Sequence, residues 1–134
     1  MNHSVYPPAG GEPLTYAQFL AANPAVGTLK IQAARARRAL PTAGVEITVV
    51  RQCRDERVLF FQGLTDEDGL IEAIPLPAPP RALSQQAGSG RRGALYDVFA
   101  AHPDFAPVQL QAEIFEGTTA ILPVTLQLPR EVTP

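Results

Sequence analysis

The side chains able to do chemistry are few and poorly spaced for it. The chain has two histidines, His3 and His102, and a single cysteine, Cys53. One thiol cannot close an internal disulfide, and these three residues fall short of an ordinary zinc ligand set. A serine–histidine–aspartate triad would have to join His102 to Asp97 or Asp104 and to Ser4, Ser84 or Ser89. No nucleophile-elbow pattern surrounds any of those serines, and His102, followed by Pro103, reads as a turn residue at a strand end. The run Asp66-Glu67-Asp68-Gly69 opens like a calcium loop, but position 12 counted from Asp66 is Pro77, where a bidentate glutamate is needed. The simpler reading is a hairpin turn supported by an aspartate side chain, with Gly69 at positive φ. No catalytic, metal or cofactor-binding residue is expected.

Binding is the remaining chemistry. Arg35, Arg37 and Arg38 cluster after an apolar alternation, and Arg91 with Arg92 lies in a glycine-rich stretch. Such groups can touch an anionic polymer. Yet acidic residues outnumber basic ones, 13 to 11, and no stacking aromatics are interleaved with the arginines. Solvated loop arginines are the simpler account, and nucleic acid is not an expected partner. The aromatic residues fall mostly in strand-like patterns, which core packing explains. Phe60 and Phe61 are the exception, because strict alternation cannot send adjacent side chains to one sheet face. One of them must lie under a covering segment or belong to an exposed patch that meets a partner. Phe60, Phe61, Arg91 and Arg92 are therefore the candidate partner contacts.

The elements that must position these residues are mostly strands. Leu29, Ile31 and Ala33 alternate with Lys30 and Gln32, and Val45, Ile47 and Val49 alternate with Glu46 and Thr48. Residues 57–64, RVLFFQGL, are β-prone, but their inward face is ambiguous. Leu70–Leu76 follows the TDEDG turn, and Tyr96–Ala101 makes a further strand. Val108 to Ile114 and Val124 to Leu128 resume the period of two. One helix is expected over residues 14–24, with Thr15 as cap, Gln18 completing a capping box and Asn23-Pro24 ending it. At about two turns it needs something to pack on, and it suits a plug at one end of the fold. Residues 1–13 read as a flexible arm, 25–130 as one β-sandwich domain and 131–134 as a tail. The segment SQQAGSGRRG (residues 84–93) has no apolar anchor and is expected to be the most mobile internal stretch, open to trypsin at Arg91 or Arg92.

The chain of 134 residues is one domain's worth, and 46% hydrophobic residues are enough for one core without disulfide staples. No apolar run approaches the length needed to span a bilayer. The opening MNHSVYPPAGGEP has neither a basic nor an apolar leader region, so a cytoplasmic or spore compartment is the expectation. Fourteen prolines, ten glycines and no heptad run or internal repeat favour a β-rich chain. Strands at short spacing without intervening helices point to an antiparallel sandwich.

Residues 27–128, about three-quarters of the chain, resemble the carboxypeptidase regulatory-like domain, a transthyretin-like (prealbumin-type) seven-stranded antiparallel β-sandwich. The stretches that carry the likeness are LPTAGVEITVV (40–50), TDEDGL (65–70) and AAHPDF (100–105). The last departs from the family pattern: Asp104 stands where glycine is usual, and Phe105 replaces a tyrosine. Aspartate tolerates a left-handed backbone, so such a turn can survive. TYAQFLAANPAVGTLKIQA (15–33) and FEGTTAILPVTLQLP (115–129) are similar to a subgroup of sporulating Gram-positive bacteria, associated with spore-cortex-lytic and peptidoglycan-binding proteins.

The resemblance implies a non-catalytic interaction or scaffold module, docking to protein or peptidoglycan in an envelope or spore-associated assembly. Enzymatic relatives of the fold fit less well. Hydroxyisourate hydrolases need strand histidines and a Tyr-Arg-Gly-Ser ending, whereas this chain ends LQLPREVTP. Intradiol dioxygenases need two tyrosines and two histidines on iron, which this chain cannot supply from ordered positions. Adhesin-type isopeptide cross-linking would use Lys30, the sole lysine, but the last strand has no asparagine or aspartate to receive it, and alternation turns Lys30 outward. Two other functions stay open. A carbohydrate-binding sandwich would show coplanar exposed aromatics on one sheet face, and a small hydrolase would show a pocket joining His102 to a serine or carboxylate. Oligomeric state is left open.

Overall fold

The computed structural model describes residues 13–36, 39–84 and 93–129. The expected arm, C-terminal tail and most of the 84–93 stretch lie outside these. A short helix, α1 (Tyr16–Ala22), leads into strand β1 (Ala25–Arg35). There follow β2 (Leu40–Pro41), β3 (Glu46–Gln52), β4 (Arg57–Leu64), β5 (Leu70–Ala78) and a one-turn helix, α2 (Arg81–Ser84). Strands β6 (Ala94–His102), β7 (Phe105–Ile114) and β8 (Thr119–Leu126) complete the described fold. Alternation accounts for most of these strands. In β1 the buried positions are Gly27, Leu29, Ile31 and Ala33, and in β6 they are Ala94, Tyr96, Val98 and Ala100.

Two sheets face each other. In one, β5 pairs antiparallel with β1, and β2 pairs with the end of β1 at Ala34 and Arg35. The opposite edge of β1 carries β8, which runs parallel from Thr28↔Thr119 to Arg35↔Leu126. The second sheet has the order β4-β3-β6-β7, antiparallel throughout. The inner faces meet in one core that includes Leu29, Ile31, Ile47, Val49, Ile74, Tyr96, Ile114 and Val124. Gly27 is required where β1 crosses the end of β7, because a Cβ there would run into the Phe115 carbonyl and the Ile114 side chain.

Three expectations need correction. There are eight strands rather than seven, the extra one being the two-residue β2. The sandwich is not wholly antiparallel, because β8 returns to lie beside β1 in the same direction. The last strand also ends earlier than its alternation suggests, leaving Leu128 exposed beyond β8. The turn at Pro103-Asp104 survives without glycine for a different reason from the one expected. Ala36 is the one non-glycine residue at positive φ among those described, so Asp104 is not left-handed. Instead Pro103 fixes the turn, and the Asp104 N–H donates to His102 Nδ1 at 3.1 Å.

Candidate functional site

The chemistry-bearing residues are dispersed and occupied in local structure. Asp66 Oδ1 accepts from the Asp68 and Leu70 N–H groups, each at 2.9 Å, and Gly69 turns the chain at φ 76°. This is the expected aspartate-supported hairpin. Among the described residues, no group of three or more His, Cys, Asp or Glu side chains converges as a metal site would require. His102 packs its ring against Phe105, with centroids 5.2 Å apart. Lys30 points outward and pairs with Glu72 at 3.5 Å. Arg35 donates to Thr42 Oγ1 at 3.2 Å. Arg37, Arg38, Arg91 and Arg92 lie outside the described residues.

Phe60 and Phe61 show how adjacent rings can share one face. The register between β3 and β4 shifts between Val49↔Phe61 and Val50↔Leu59, so Phe60 is the extra residue of a β-bulge. A bulge suspends alternation locally, and both rings pack against the core, each half-buried. Of the two alternatives for this pair the covered one holds: Phe60 lies under helix α1, against Tyr16 and Phe19. The outward apolar residues of β4 are Leu59 and Leu64, 57% and 65% exposed. A bulge leaves little trace in sequence beyond consecutive apolar residues, which is why the inward face could not be read.

Under α1 lies the most polar-aromatic part of the interior. The helix opens with the expected capping box, Thr15 Oγ1 accepting from Gln18 N–H and Gln18 Oε1 from Thr15 N–H. Its first-turn Tyr16 N–H donates to Asp55 Oδ1 at 2.9 Å, and Arg54 N–H donates to the Leu14 carbonyl at 2.8 Å. Both partners sit in the β3–β4 loop, so α1 is pinned to that loop. Phe19, 1% exposed, is the plug. Its ring meets Phe60 and Tyr96 edge-on at 6.1 and 5.9 Å, and the Arg51 guanidinium lies over it at 4.3 Å. Arg51 Nη1 donates to the Leu95 carbonyl at 2.7 Å, while its buried Nε has no hydrogen-bond partner among the described residues.

Cys53 and Tyr96 share this environment. Burial pushes the Cys53 thiol above its ordinary value; Arg51 opposes the shift, and Asp55 and Glu56 add to it. Burial likewise raises the Tyr96 hydroxyl, against the opposing Arg51 charge. That hydroxyl donates to the Pro77 carbonyl. A thiol kept protonated in this way is a poor nucleophile. Arg51 was not singled out in the sequence, because nothing in a strand pattern marks a cation that turns inward.

Beside the plug, on the outside, runs an open apolar groove of about 320 Å3. It is lined by Leu20 and Asn23 of the helix segment, by Pro24, Ala25 and Val26 leading into β1, and by Pro75, Leu76 and Pro77 of β5, which pairs with β1 there. No titratable side chain lines it, and His102 is not part of it. Leu20 and Val26 are exposed there. Pro24, Pro75 and Pro77 rigidify the lining, and on the edge strand β5 the prolines also remove donors that an added strand would need.

No family model matches the sequence, and no curated protein is significantly similar to it. Solved structures do match. The Bacillus anthracis TIE protein is 16% identical with a TM-score of 0.54; the match covers 78% of this chain and 17% of that one, so the chain spans about a sixth of its length. The 3-chlorocatechol 1,2-dioxygenase of Rhodococcus opacus 1CP is 11% identical with a TM-score of 0.52, over 96% of this chain and 71% of the enzyme. The 5-hydroxyisourate hydrolase of Klebsiella pneumoniae is 17% identical with a TM-score of 0.48, over 79% of this chain and 99% of that one. At these identities the likeness is one of fold alone: the chain is a two-sheet β-sandwich, an architecture it shares with part of the TIE protein and with the dioxygenase.

Proposed function

We propose that the protein is a non-catalytic interaction module that docks a polypeptide partner along the groove between α1 and β5. The observation that carries this reading is the lining of that groove: Leu20, Pro24, Val26 and Pro75 are exposed along it, Asn23 is its one polar side chain, and no titratable group is present. Such a surface offers apolar contact at low entropic cost and offers nothing to move a proton. The wider setting in this reading is a bacterial envelope or spore-associated assembly, as the resemblance of residues 15–33 and 115–129 suggests, with peptidoglycan as the alternative ligand.

A protein partner is favoured over a glycan by the aromatic residues. Every aromatic side chain among the described residues is buried or half-buried, so none forms an exposed platform for sugar stacking. Photo-crosslinking from a reactive residue at Val26, compared with one at Gln111 on the outer face of the other sheet, tests the reading. The expected result is a discrete polypeptide adduct from position 26 that disappears when Leu20→Asp is added. Co-sedimentation with purified peptidoglycan without a position-26 adduct would favour the glycan alternative. Turnover of simple ester or amide substrates would replace both with the hydrolase.

A further inference from the structure

Among the described residues five strands lie at a sheet edge: β2, β5 and β8 in the first sheet, β4 and β7 in the second. Four of them contain proline: Pro41 in β2, Pro75 and Pro77 in β5, Pro107 in β7 and Pro123 in β8. Proline withholds a donor, and sheets use it to keep their edges from pairing with other chains. Strand β4, RVLFFQGL, has none, and among the described residues no strand pairs with its free side. Helix α1 meets β4 on the inner face, Tyr16 and Phe19 against the Phe60 ring. On the outer face Leu59, Gln62 and Leu64 are exposed. Thr65 N–H donates to the Val45 carbonyl of the neighbouring chain segment, so by alternation the N–H groups of Gln62 and Leu64 point away from β3.

We propose that β4 pairs with β4 of a second copy of this chain, antiparallel about a two-fold axis through Gln62, joining two four-stranded sheets into one. The strand's own sequence selects a second copy. With Gln62 opposite Gln62, Phe61 faces Gly63, the one position in β4 with no side chain to obstruct a ring. The bulge at Phe60 absorbs one residue here as it does against β3, so Leu59 falls beside Leu64 and Arg57 beside Asp66. Outward residues thereby meet outward residues and inward meet inward, which a slip of one position would break. The Gln62 amide donates to Glu46 of β3 at 3.3 Å, which draws the side chain off the edge. Charge sets the direction. Arg54 and Arg57 balance Asp55 and Glu56 at one end of β4, while the Asp66–Asp68 turn at the other end is wholly acidic. Antiparallel pairing lays the balanced end on the acidic one; parallel pairing would lay acidic on acidic. The pairing is independent of the groove between α1 and β5, none of whose lining residues lies in β4.

An interface this small binds weakly, with a dissociation constant on the order of 100 µM. Sedimentation velocity of the full chain between ~10 µM and ~1 mM should therefore show monomer giving way to dimer. Gln62→Lys sets like charges opposite each other on the axis and should weaken the dimer at least 10-fold. Gln62 is exposed, so the variant keeps its fold. Cross-linking tests the register. Residues facing each other across such a pair have Cα atoms about 5.5 Å apart, within disulfide reach. Under mild oxidation Gln62→Cys should give a covalent dimer at least 10-fold faster than Gln109→Cys, an exposed position on the outer face of the other edge strand, β7. The parent, whose Cys53 is buried, is the baseline. A chain still monomeric at ~1 mM overturns the proposal. So does a dimer that Gln62→Lys leaves unchanged, or cross-linking no faster at position 62 than at 109.

Discussion

Leu59, Phe60 and Phe61 are consecutive, but the bulge sends one out and two in, and the three should respond differently to truncation. Phe60→Ala and Phe61→Ala should each cost about 3 kcal/mol, the low end for ring deletion because both are half-buried. Leu59→Ser should stay within about 0.5 kcal/mol of the parent in urea unfolding. Comparable losses at both rings would remove the account in which an outward phenylalanine anchors a partner. Asp66→Ala removes the acceptor of two turn bonds and should cost about 1–2 kcal/mol. Cys53 gives a pH test. Burial holds its thiol above the ordinary value in the folded state, so the unfolded chain loses its proton first as pH rises. The contribution is fully present below the unfolded value and is lost as pH rises through the folded one. Stability should therefore fall above about pH 8.5, and Cys53→Ala should remove the thiol's share of that slope.

Helix α1 shows how an element too short to stand alone is kept by its ends and one face. Its capping box satisfies two N-terminal groups within the chain, and Asp55 supplies an anionic acceptor to a third. Thr15→Ala should cost about 1 kcal/mol, read as faster hydrogen exchange of the helix amides with the strand amides unchanged. The edge strand β5 makes the opposite use of its residues. Pro75 and Pro77 sit opposite Thr28 and Val26, with no N–H to offer a further strand. Replacing both prolines with valine should increase self-association in size-exclusion chromatography, since it restores donors along an apolar edge.

Across the whole molecule the decisive contact is between its two ends. Thr28 lies beside Thr119 in the parallel β1–β8 pair, so the first sheet is complete only when the last strand arrives. Contacts this distant in sequence make folding slow, on the order of milliseconds to seconds by stopped-flow, in place of the microseconds of helical bundles. At Gly27, β1 runs against the end of β7, and Gly27→Ala should cost about 1–3 kcal/mol by overpacking against Phe115 and Ile114.

Local patterns were sufficient for most of the elements, though not for the two-residue β2 or the one-turn α2. The alternation through Leu29–Ala33 and Val45–Val49, the capping box at Thr15 and Gln18, and the aspartate turn at Asp66 all depend on residues within a few positions of one another. Such signals survive in one dimension. The bulge at Phe60, the inward guanidinium of Arg51, the parallel return of β8 and the groove between α1 and β5 were decided elsewhere. Each depends on which element lies opposite: a hairpin partner for the bulge, and segments tens of residues away for the other three. A register shift is a relation between two strands, and a cation can turn inward only where a carbonyl such as that of Leu95 is waiting and a ring such as Phe19 covers it. Periodicity specifies the face a side chain prefers; the packed neighbours determine whether the backbone lets it go there.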